Sequence, residues 1–383
     1  MKKRNHLLQG LFIFLVFFIA SCKKETKQEP QSNESLRAAM LNRTPGADVN
    51  SGFTVFATGL HNPRGLKFGP DGNLYVAEAG LGGSLSTQGI CTQVVFPVGP
   101  YKGSLTSGRI SKINAQGQRT TVTDQLPSSQ ANEIIGGDIE GVADVEFIGN
   151  TLYALLDGAG CSHGVESVPN GIVKINSNGS WSMIADLSAW QQSHPVAEPE
   201  EDDYEPDGTW YSMINVRGDL YAMEQNHGEL VKVSTTGDIQ RVIDISAHYG
   251  HIVPTTLAYH GNFYFGNLLT FPIPNGESKI YKVSPDDGDT KIVAEDLNTV
   301  LGLVIDQQKR MYVLEMTVGA PFPTPGLGRI VRIDPSGKKT VITTGLSLPT
   351  GMTMGPDGNL YVSNIGFGPF ANTQGQIVKV TLN

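Results

Sequence analysis

Short apolar runs, separated by turns that contain glycine and proline, follow one another along most of this chain. The stretch GLKFGPDGNLYV at 65–76 returns as GMTMGPDGNLYV at 351–362. Each copy predicts a strand, a Pro-Asp-Gly turn and a second strand, because proline presets φ and glycine supplies the positive φ that closes the hairpin. Four weaker copies lie between these two, and their second strands contain Tyr153, Tyr221, Tyr264 and Tyr312. The chain therefore repeats one β-rich unit six times.

A third strand follows in every copy. It carries an apolar residue, any residue, a cation and a β-branched residue, in this order, at 110–113, 172–175, 230–233, 280–283, 330–333 and 377–380. A fourth strand ends five copies, whereas the sixth copy stops at Asn383 without one. The sequence FTVF at 53–56 supplies a strand that would close the ring and remove its free edges. We predict an all-β, six-bladed β-propeller over residues 53–383, closed by an N-terminal strand that completes the last blade.

Two blades are longer than the others. Their extra residues lie at roughly 81–107, 158–170 and 188–206, after second and fourth strands. In a propeller these loops emerge on one face, the top face, so we expect a binding surface there. Cys91 and Cys161 fall in equivalent top loops of adjacent blades. A disulfide between them is favoured, and two separate buried thiols are the alternative.

The N-terminus has the pattern of an export signal. Lys2, Lys3 and Arg4 precede an apolar run over 7–20, which is too short to span a bilayer comfortably. The sequence IASC at 19–22 looks like a bacterial lipobox, which implies cleavage before Cys22 and acylation of its thiol. The alternative is a simple signal peptide with an incidental cysteine. We expect a signal peptide at 1–21, a flexible tether at 22–52, and lipid anchoring in the cell envelope, at the outer membrane.

The charge of the chain excludes one class of partner. Its formal net charge is −9 at pH 7, from 28 Lys and Arg against 37 Asp and Glu. No cluster of Lys and Arg interrupts this acidity, so nucleic acid is not an expected partner.

Polar residues recur where the strands should reach the top face. Several stand three residues after the repeat tyrosine, and others at the start of the innermost strands. Carboxylate and amide oxygens that converge from different blades are ligands of Ca²⁺ and Mg²⁺, so a cation in the central channel is one hypothesis and a plain polar channel the other. The candidate metal ligands are Glu78, Glu140, Asp207, Glu224, Asn267 and Glu315.

Candidate catalytic groups lie in the same region. Glu140 and Asp207 begin inner strands, and His227 and His251 lie within a few residues of channel-facing strand ends. Neutral imidazole near carboxylates can act as a general base, although no Ser-His-Asp order or His-Glu-x-x-His spacing is present. The acidic run over 198–207 is most simply a solvated loop.

The first repeat carries a family resemblance. The sequence GLHNPRGL at 59–66, followed by GPDGNLYVAEAG at 69–80, is similar to the opening of the ScyD/ScyE-type secreted propellers, and the similarity covers 53–383. More broadly the chain resembles NHL-type, gluconolactonase-like and strictosidine-synthase-like propellers, which implies a divalent cation held in the channel. The Pro-Asn-Gly motif of those enzymes is replaced by PTT at 254–256 and PTG at 349–351.

Two functions of different classes follow. The first is a lipid-anchored, monomeric binding or scaffold module that presents its top face to a small molecule, glycan or protein. The second is a metal-assisted hydrolase or lyase of a lactone or ester, in which the cation polarises a carbonyl and Glu140, Asp207 or a loop histidine moves a proton. The sequence leaves open whether the chain is an enzyme.

Overall fold

The computed structural model of the protein describes residues 52–135, 138–200, 205–285, 288–367 and 373–382. The predicted signal peptide, Cys22 and all but the last residue of the predicted tether lie outside these ranges. Within the described residues, no helix has the length and apolar character needed to cross a membrane.

Six antiparallel sheets make up the described chain, and each is one blade. The strands are β1 (Phe53–Leu60); β2 (Pro63–Phe68), β3 (Leu74–Glu78), β4 (Lys102–Ile113), β5 (Arg119–Gln130) and β6 (Ile139–Glu140) in blade one; β7 (Val142–Ile148), β8 (Thr151–Leu156), β9 (Gly171–Ile175) and β10 (Trp181–Asp186) in blade two; β11 (Trp210–Val216), β12 (Asp219–Glu224), β13 (Glu229–Val233) and β14 (Ile239–Asp244) in blade three. They continue as β15 (Pro254–Tyr259), β16 (Phe263–Asn267), β17 (Ser278–Val283) and β18 (Thr290–Leu297) in blade four; β19 (Val300–Ile305), β20 (Met311–Glu315), β21 (Gly328–Ile333) and β22 (Lys339–Leu346) in blade five; and β23 (Gly351–Met354), β24 (Leu360–Asn364) and β25 (Gly375–Val380) in blade six. Helices α1 (Leu187–Ser193) and α2 (Ser246–Tyr249) and the 3-10 turns Glu133–Ile135 and Cys161–His163 lie between strands.

The closure of the ring confirms the prediction from the sequence. The last sheet has the strand order β1-β25-β24-β23, so the N-terminal strand is the outermost strand of blade six. Phe53 pairs with Val380, and the ladder continues to Leu60 opposite Gly375. This pairing covers an edge that β25 would otherwise expose.

The core lies between neighbouring blades. Apolar side chains on one blade pack against the next, as in the core cluster that contains Ile110 of blade one and Leu152 of blade two. The repeat tyrosines take part: the ring of Tyr75 packs edge-on against Phe147 of the next blade, with centroids 4.9 Å apart. The ring of Tyr75 therefore serves packing between blades.

The repeated cation of the third strand does more than face solvent. Lys112 Nζ lies 2.7 Å from an oxygen of Asp71 in the Pro-Asp-Gly turn of its blade. Lys379 and Asp357 repeat this pair at 2.7 Å in blade six. The cation therefore ties the third strand to the turn between the first two.

The insertion in blade one is partly strand rather than loop. We expected extra loop residues over roughly 81–107, but β4 begins at Lys102 and pairs with β5 as far as Gln130. The short strand β6 then adds a fifth strand to this sheet. The longer hairpin carries its residues beyond the blade, toward the top loops of blade two.

Candidate functional site

A cavity of about 80 Å³ lies at the mouth of the central channel, where inner strands begin and second strands end. A larger cavity of about 520 Å³ is lined by the inner strands of all six blades. The mouth cavity has two unlike walls. The charged wall consists of Arg64, Asp138, Glu140 and Asp157, and the apolar wall of Leu268, Leu301, Met316, Phe322 and Phe367.

Tyr211 separates the two cavities. It lies in β11 of blade three and lines both of them. Its hydroxyl donates to the carbonyl oxygen of Thr350 at 2.6 Å, at the start of blade six and therefore on the opposite side of the ring. Burial raises the pKa of Tyr211, which keeps the hydroxyl as a donor. The Tyr211 side chain crosses the channel and forms the floor of the mouth cavity.

The charged wall carries more acid than base. Arg64 Nη2 lies 3.2 Å from an oxygen of Asp138, and burial raises the pKa of Asp138 to about 6 against the opposing charge of Arg64. Asp157 accepts a hydrogen bond from the backbone N–H of Trp210 at 2.6 Å. Burial, followed by the charge of Glu140, raises the pKa of Asp157 well above its ordinary value. A cation in this cavity would therefore be favoured.

Behind the charged wall, three ionisable side chains converge. His163 Nε2 lies 2.9 Å from Glu140 Oε2 and 3.2 Å from Glu205 Oε2. The hydroxyl of Tyr101 donates to the other oxygen of Glu140 at 2.7 Å. His163 is fully buried, and Glu205 and Glu140 are 5% and 8% exposed. Glu140 alone of these four residues also lines the mouth cavity, so it connects the two.

His163 lies in a turn that requires glycine on both sides. The 3-10 turn Cys161–His163 is bounded by Gly160 and Gly164, which have φ values of 97° and 78°. A Cβ on Gly160 would lie 2.4 Å from Cγ of Asp207, and one on Gly164 would lie 2.7 Å from the backbone N of Gly103. Side chains at these two positions would be strained and would clash.

A disulfide and a carboxylate fix the same turn. Cys91 and Cys161 are joined by a disulfide, which links the top loops of blades one and two. Asp207 accepts from the backbone N–H of Ser162 at 2.7 Å and from its hydroxyl at 2.5 Å. The backbone on both sides of His163 is therefore held in place.

The electrostatics of the cluster favour a cation. Burial alone would lower the pKa of His163, but the neighbouring carboxylates of Glu140 and Glu205 raise it well above its ordinary value. Burial and the charge of Glu140 raise the pKa of Glu205 to about 7. Two carboxylates that cannot both be stable as buried anions need a positive charge between them.

The structure does not bring the six predicted metal ligands together. Glu78 pairs with Arg109, Glu315 pairs with Arg329, and Glu224 accepts backbone N–H bonds from Thr209, Asn226, His227 and Gly228. Asn267 accepts from the backbone N–H of Lys279 and donates to the carbonyl of Ile252. These side chains turn into the loops of their own blades, where they satisfy backbone groups. The predicted ring of ligands was wrong for this reason.

The predicted catalytic residues separate in a similar way. Of the four, only Glu140 lines the mouth cavity among the described residues. Asp207 is 7% exposed and supports the His163 turn through Ser162. His227 lies beside Glu224, with Nδ1 3.5 Å from Oε1, and His251 likewise lines neither channel cavity.

Sequence reasoning missed two members of the cluster, His163 and Glu205. His163 was only one of several loop histidines, and Glu205 belonged to an acidic run that we expected to be solvated. Glu198 and Glu200 of this run are exposed, but Glu205 and Asp207 are buried. A signal was present in the pair of Gly160 and Gly164 around His163, since closely spaced glycines indicate a constrained turn.

Comparison with solved structures supports the fold. A gluconolactonase of Xanthomonas campestris superposes with a TM-score of 0.51 at 11% sequence identity, over 86% of this chain and 89% of that one. The calcium-binding protein regucalcin of Agrobacterium tumefaciens superposes with a TM-score of 0.50 at 13% identity, over 86% and 94%. A Bacteroides thetaiotaomicron protein of unknown function gives a TM-score of 0.52 at 10% identity, over 85% and 71%.

No model of a known protein family matches this chain, and no curated protein matches it. At identities of 10% to 13%, the structural likeness is evidence of fold alone. The chain is a six-bladed β-propeller with gluconolactonase-like structural neighbours.

Proposed function

We propose that this chain is an exported, lipid-anchored propeller that binds a small molecule in the mouth cavity of its top face. The supporting observation is the cavity itself, which has one charged wall and one apolar wall above the floor made by Tyr211. Protein sites for small molecules combine these features: mostly apolar lining with a few placed polar groups. The lipobox pattern around Cys22 and the resemblance to ScyD/ScyE-type propellers support export and anchoring.

The walls specify the class of ligand. Three carboxylates face one guanidinium on the charged wall, so a ligand with an ammonium group or several donors is favoured over an anion. On the other side, Phe322 and Phe367 lie with ring centroids 5.7 Å apart and offer an aromatic surface. The cavity of about 80 Å³ holds one end of such a ligand. An amine with an apolar or aromatic body meets both walls.

The test uses benzylamine as the probe and methyl glucoside as a neutral comparison. In saturation-transfer NMR on the purified protein, we expect signal transfer to benzylamine, and a loss of this transfer in the Phe322→Ala variant. Phe271→Ala is the matched control, because Phe271 is a loop phenylalanine that is 73% exposed and does not line the cavity. No transfer to either probe, or equal transfer in wild type and Phe322→Ala, would contradict the proposal.

The anchor is tested in cells that produce the protein. Wild type is expected in the membrane fraction, and Cys22→Ser in the soluble fraction. If Cys22→Ser stays with the membrane as wild type does, the lipid-anchor part of the proposal is wrong and the binding part is unaffected.

One observation favours hydrolysis of a lactone or ester as a second candidate function. Glu140 lines the mouth cavity and lies 2.9 Å from the buried His163. Such a pair can accept a proton at the cavity and pass it away from the substrate. If this function holds, Glu140→Gln abolishes turnover in a screen of lactones and aryl esters, whereas Phe322→Ala mainly raises KM. Equal turnover by Glu140→Gln and wild type would exclude it.

A further inference from the structure

The group formed by Glu140, His163 and Glu205 differs from every other acidic group in the described residues. It is the only set of three His, Cys, Asp or Glu side chains there whose ligand atoms all lie within 4.8 Å of one another. The three come from distant parts of the chain: the end of β6, the 3-10 turn of blade two, and the loop before β11. It lies off the channel axis, between the top loops of blades one and two.

The atoms that face each other in this group lack hydrogen-bond partners. Glu140 Oε2, His163 Nε2 and Glu205 Oε2 are buried, and none has a partner of acceptable geometry within the described chain. His163 itself has no exposed surface. A buried polar atom without a partner destabilises the folded state, so three that point at one place indicate a group that belongs between them.

The tautomer of His163 follows from its second nitrogen. Nδ1 lies 3.3 Å from the hydroxyl oxygen of Ser162. That hydroxyl donates its own proton to Asp207 at 2.5 Å, so its oxygen is an acceptor toward His163. Nδ1 therefore carries a proton and donates. The nitrogen left to lose its proton to a metal ion is Nε2, and its lone pair then points toward two carboxylate oxygens. A chain of this kind behind a histidine is typical of metal ligands.

We propose that Glu140, His163 and Glu205 bind a divalent transition-metal ion of the Zn²⁺ type. An imidazole nitrogen favours Zn²⁺ over Ca²⁺ and Mg²⁺, which take oxygen ligands, and two carboxylates neutralise the charge of the ion. Bonds of about 2.0–2.2 Å to tetrahedral Zn²⁺ place ligand atoms roughly 3.4 Å apart. The separations of 2.9 and 3.2 Å from Nε2 need to open by only a few tenths of an ångström.

The surroundings support the ligands from outside. The Tyr101 hydroxyl donates to Glu140 Oε1 at 2.7 Å, which leaves Oε2 for the ion. The backbone N–H of Glu205 donates to Asn226 at 3.0 Å and fixes the loop that carries it. Three protein ligands leave a fourth position for water or another molecule. Because Glu140 also lines the mouth cavity, the ion would orient one carboxylate of that wall.

The experiment measures metal binding directly and needs no knowledge of the ligand of the mouth cavity. The purified protein is stripped with a chelator and titrated with Zn²⁺ against a chromophoric competitor, with Ca²⁺ as comparison. We expect one Zn²⁺ per chain, no competition by Ca²⁺ at equal concentration, and loss of this binding in His163→Gln and Glu205→Gln. Ser162→Ala is expected to weaken it by about 10-fold or more, through the lost support of Nδ1.

The controls separate a specific site from general acidity. Glu198→Gln removes an exposed carboxylate from the same acidic run and should leave Zn²⁺ affinity unchanged. If the ligand variants do not fold, the wild type still decides: ¹⁵N NMR should show His163 Nε2 shifting from a free to a metal-bound nitrogen as Zn²⁺ is added. Failure of wild type to bind Zn²⁺, with both His163 nitrogens protonated at neutral pH, would overturn the proposal in favour of a buried ion pair. Failure of benzylamine binding alone would leave it intact.

Discussion

The disulfide between Cys91 and Cys161 is expected to stabilise the top face, and its removal can be predicted in magnitude. It joins residues separated by 70 positions and connects the insertion of blade one to the turn that carries His163. The perturbation is the double variant Cys91→Ser with Cys161→Ser. Serine is close in size to cysteine, so the change removes the cross-link with little effect on packing.

The size of the effect comes from the length of the closed loop. In the chain-entropy description, a cross-link over a loop of about 70 residues lowers the entropy of the unfolded chain, which raises its free energy by about 4 kcal/mol at 25 °C. A noncovalent contact between the same loops persists in the variant, because the Thr87 hydroxyl donates to the Cys161 carbonyl. We therefore expect the free energy of unfolding to fall by about 2–4 kcal/mol.

The assay is guanidinium denaturation followed by tryptophan fluorescence, with and without a thiol reductant. Wild type should lose stability when reduced and should then match the double variant, while the variant should be insensitive to the reductant. A change below about 0.5 kcal/mol, the range of neutral surface substitutions, would refute the reasoning. It would mean that the noncovalent contacts already hold the two loops together in the unfolded ensemble or that the loops unfold independently of the ring.

Two further predictions concern the ring and its turns. Leu60 is fully buried at the end of β1, so Leu60→Ala should lower the free energy of unfolding, measured by urea denaturation, by about 2–5 kcal/mol. Val55 in the same strand is 55% exposed, so Val55→Ala should change this free energy by less than about 0.5 kcal/mol. Equal effects of the two variants would contradict closure of the ring by β1. Although partial burial opposes it, hydrogen bonds from Lys112 and Asn73 hold the pKa of Asp71 well below its ordinary value. The folded state therefore favours the Asp71 carboxylate, and its contribution to stability is present at neutral pH and is lost as pH falls below about 4. Between pH 4 and pH 2, the urea midpoint of Asp71→Asn should decline less than that of wild type. An equal decline of the two midpoints would contradict this prediction.

The fold could be predicted because its signals are local and repeated. The Pro-Asp-Gly turns, the repeat tyrosines and the cation of the third strand each recur at fixed distances, so six copies support one another. The closing strand was also predictable, since blade six has three strands of its own and β1 has a suitable apolar pattern. The length of the β4–β5 hairpin was not, because no other blade provides a template for it.

The cluster behind the charged wall was not predictable in the same way. Tyr101 and Glu205 are 104 positions apart, yet their polar atoms lie within 3.5 Å. Both belong to insertions that have no counterpart in the other blades, so the repeat places neither of them. Their burial depends on how the two insertions pack together, and their polar character favours exposure when the sequence is considered alone.

The opposite error occurred at the repeated polar positions. Glu78, Glu224 and Glu315 were expected to face the channel because equivalent residues recur in most blades. Recurrence has a simpler cause: each blade must satisfy the backbone N–H groups of its own top loop, and a carboxylate or amide at this position does so. A requirement that most blades share therefore produces a carboxylate or amide at this position in most blades.

A binding site in a propeller is therefore better sought where the repeat is broken. Arg64 lies in the inner strand of blade one, Glu140 lies just before the inner strand of blade two, and Leu301 lies in the inner strand of blade five. These three residues line the mouth cavity from different sides. The Tyr211 side chain of blade three reaches across the axis to Thr350 of blade six, and it closes the floor. An asymmetric ligand needs unlike walls, which identical blades cannot provide. The asymmetry between the acidic side and the apolar side of the mouth is thus the part of the molecule that the fold does not require, and it is where selection for a ligand would act.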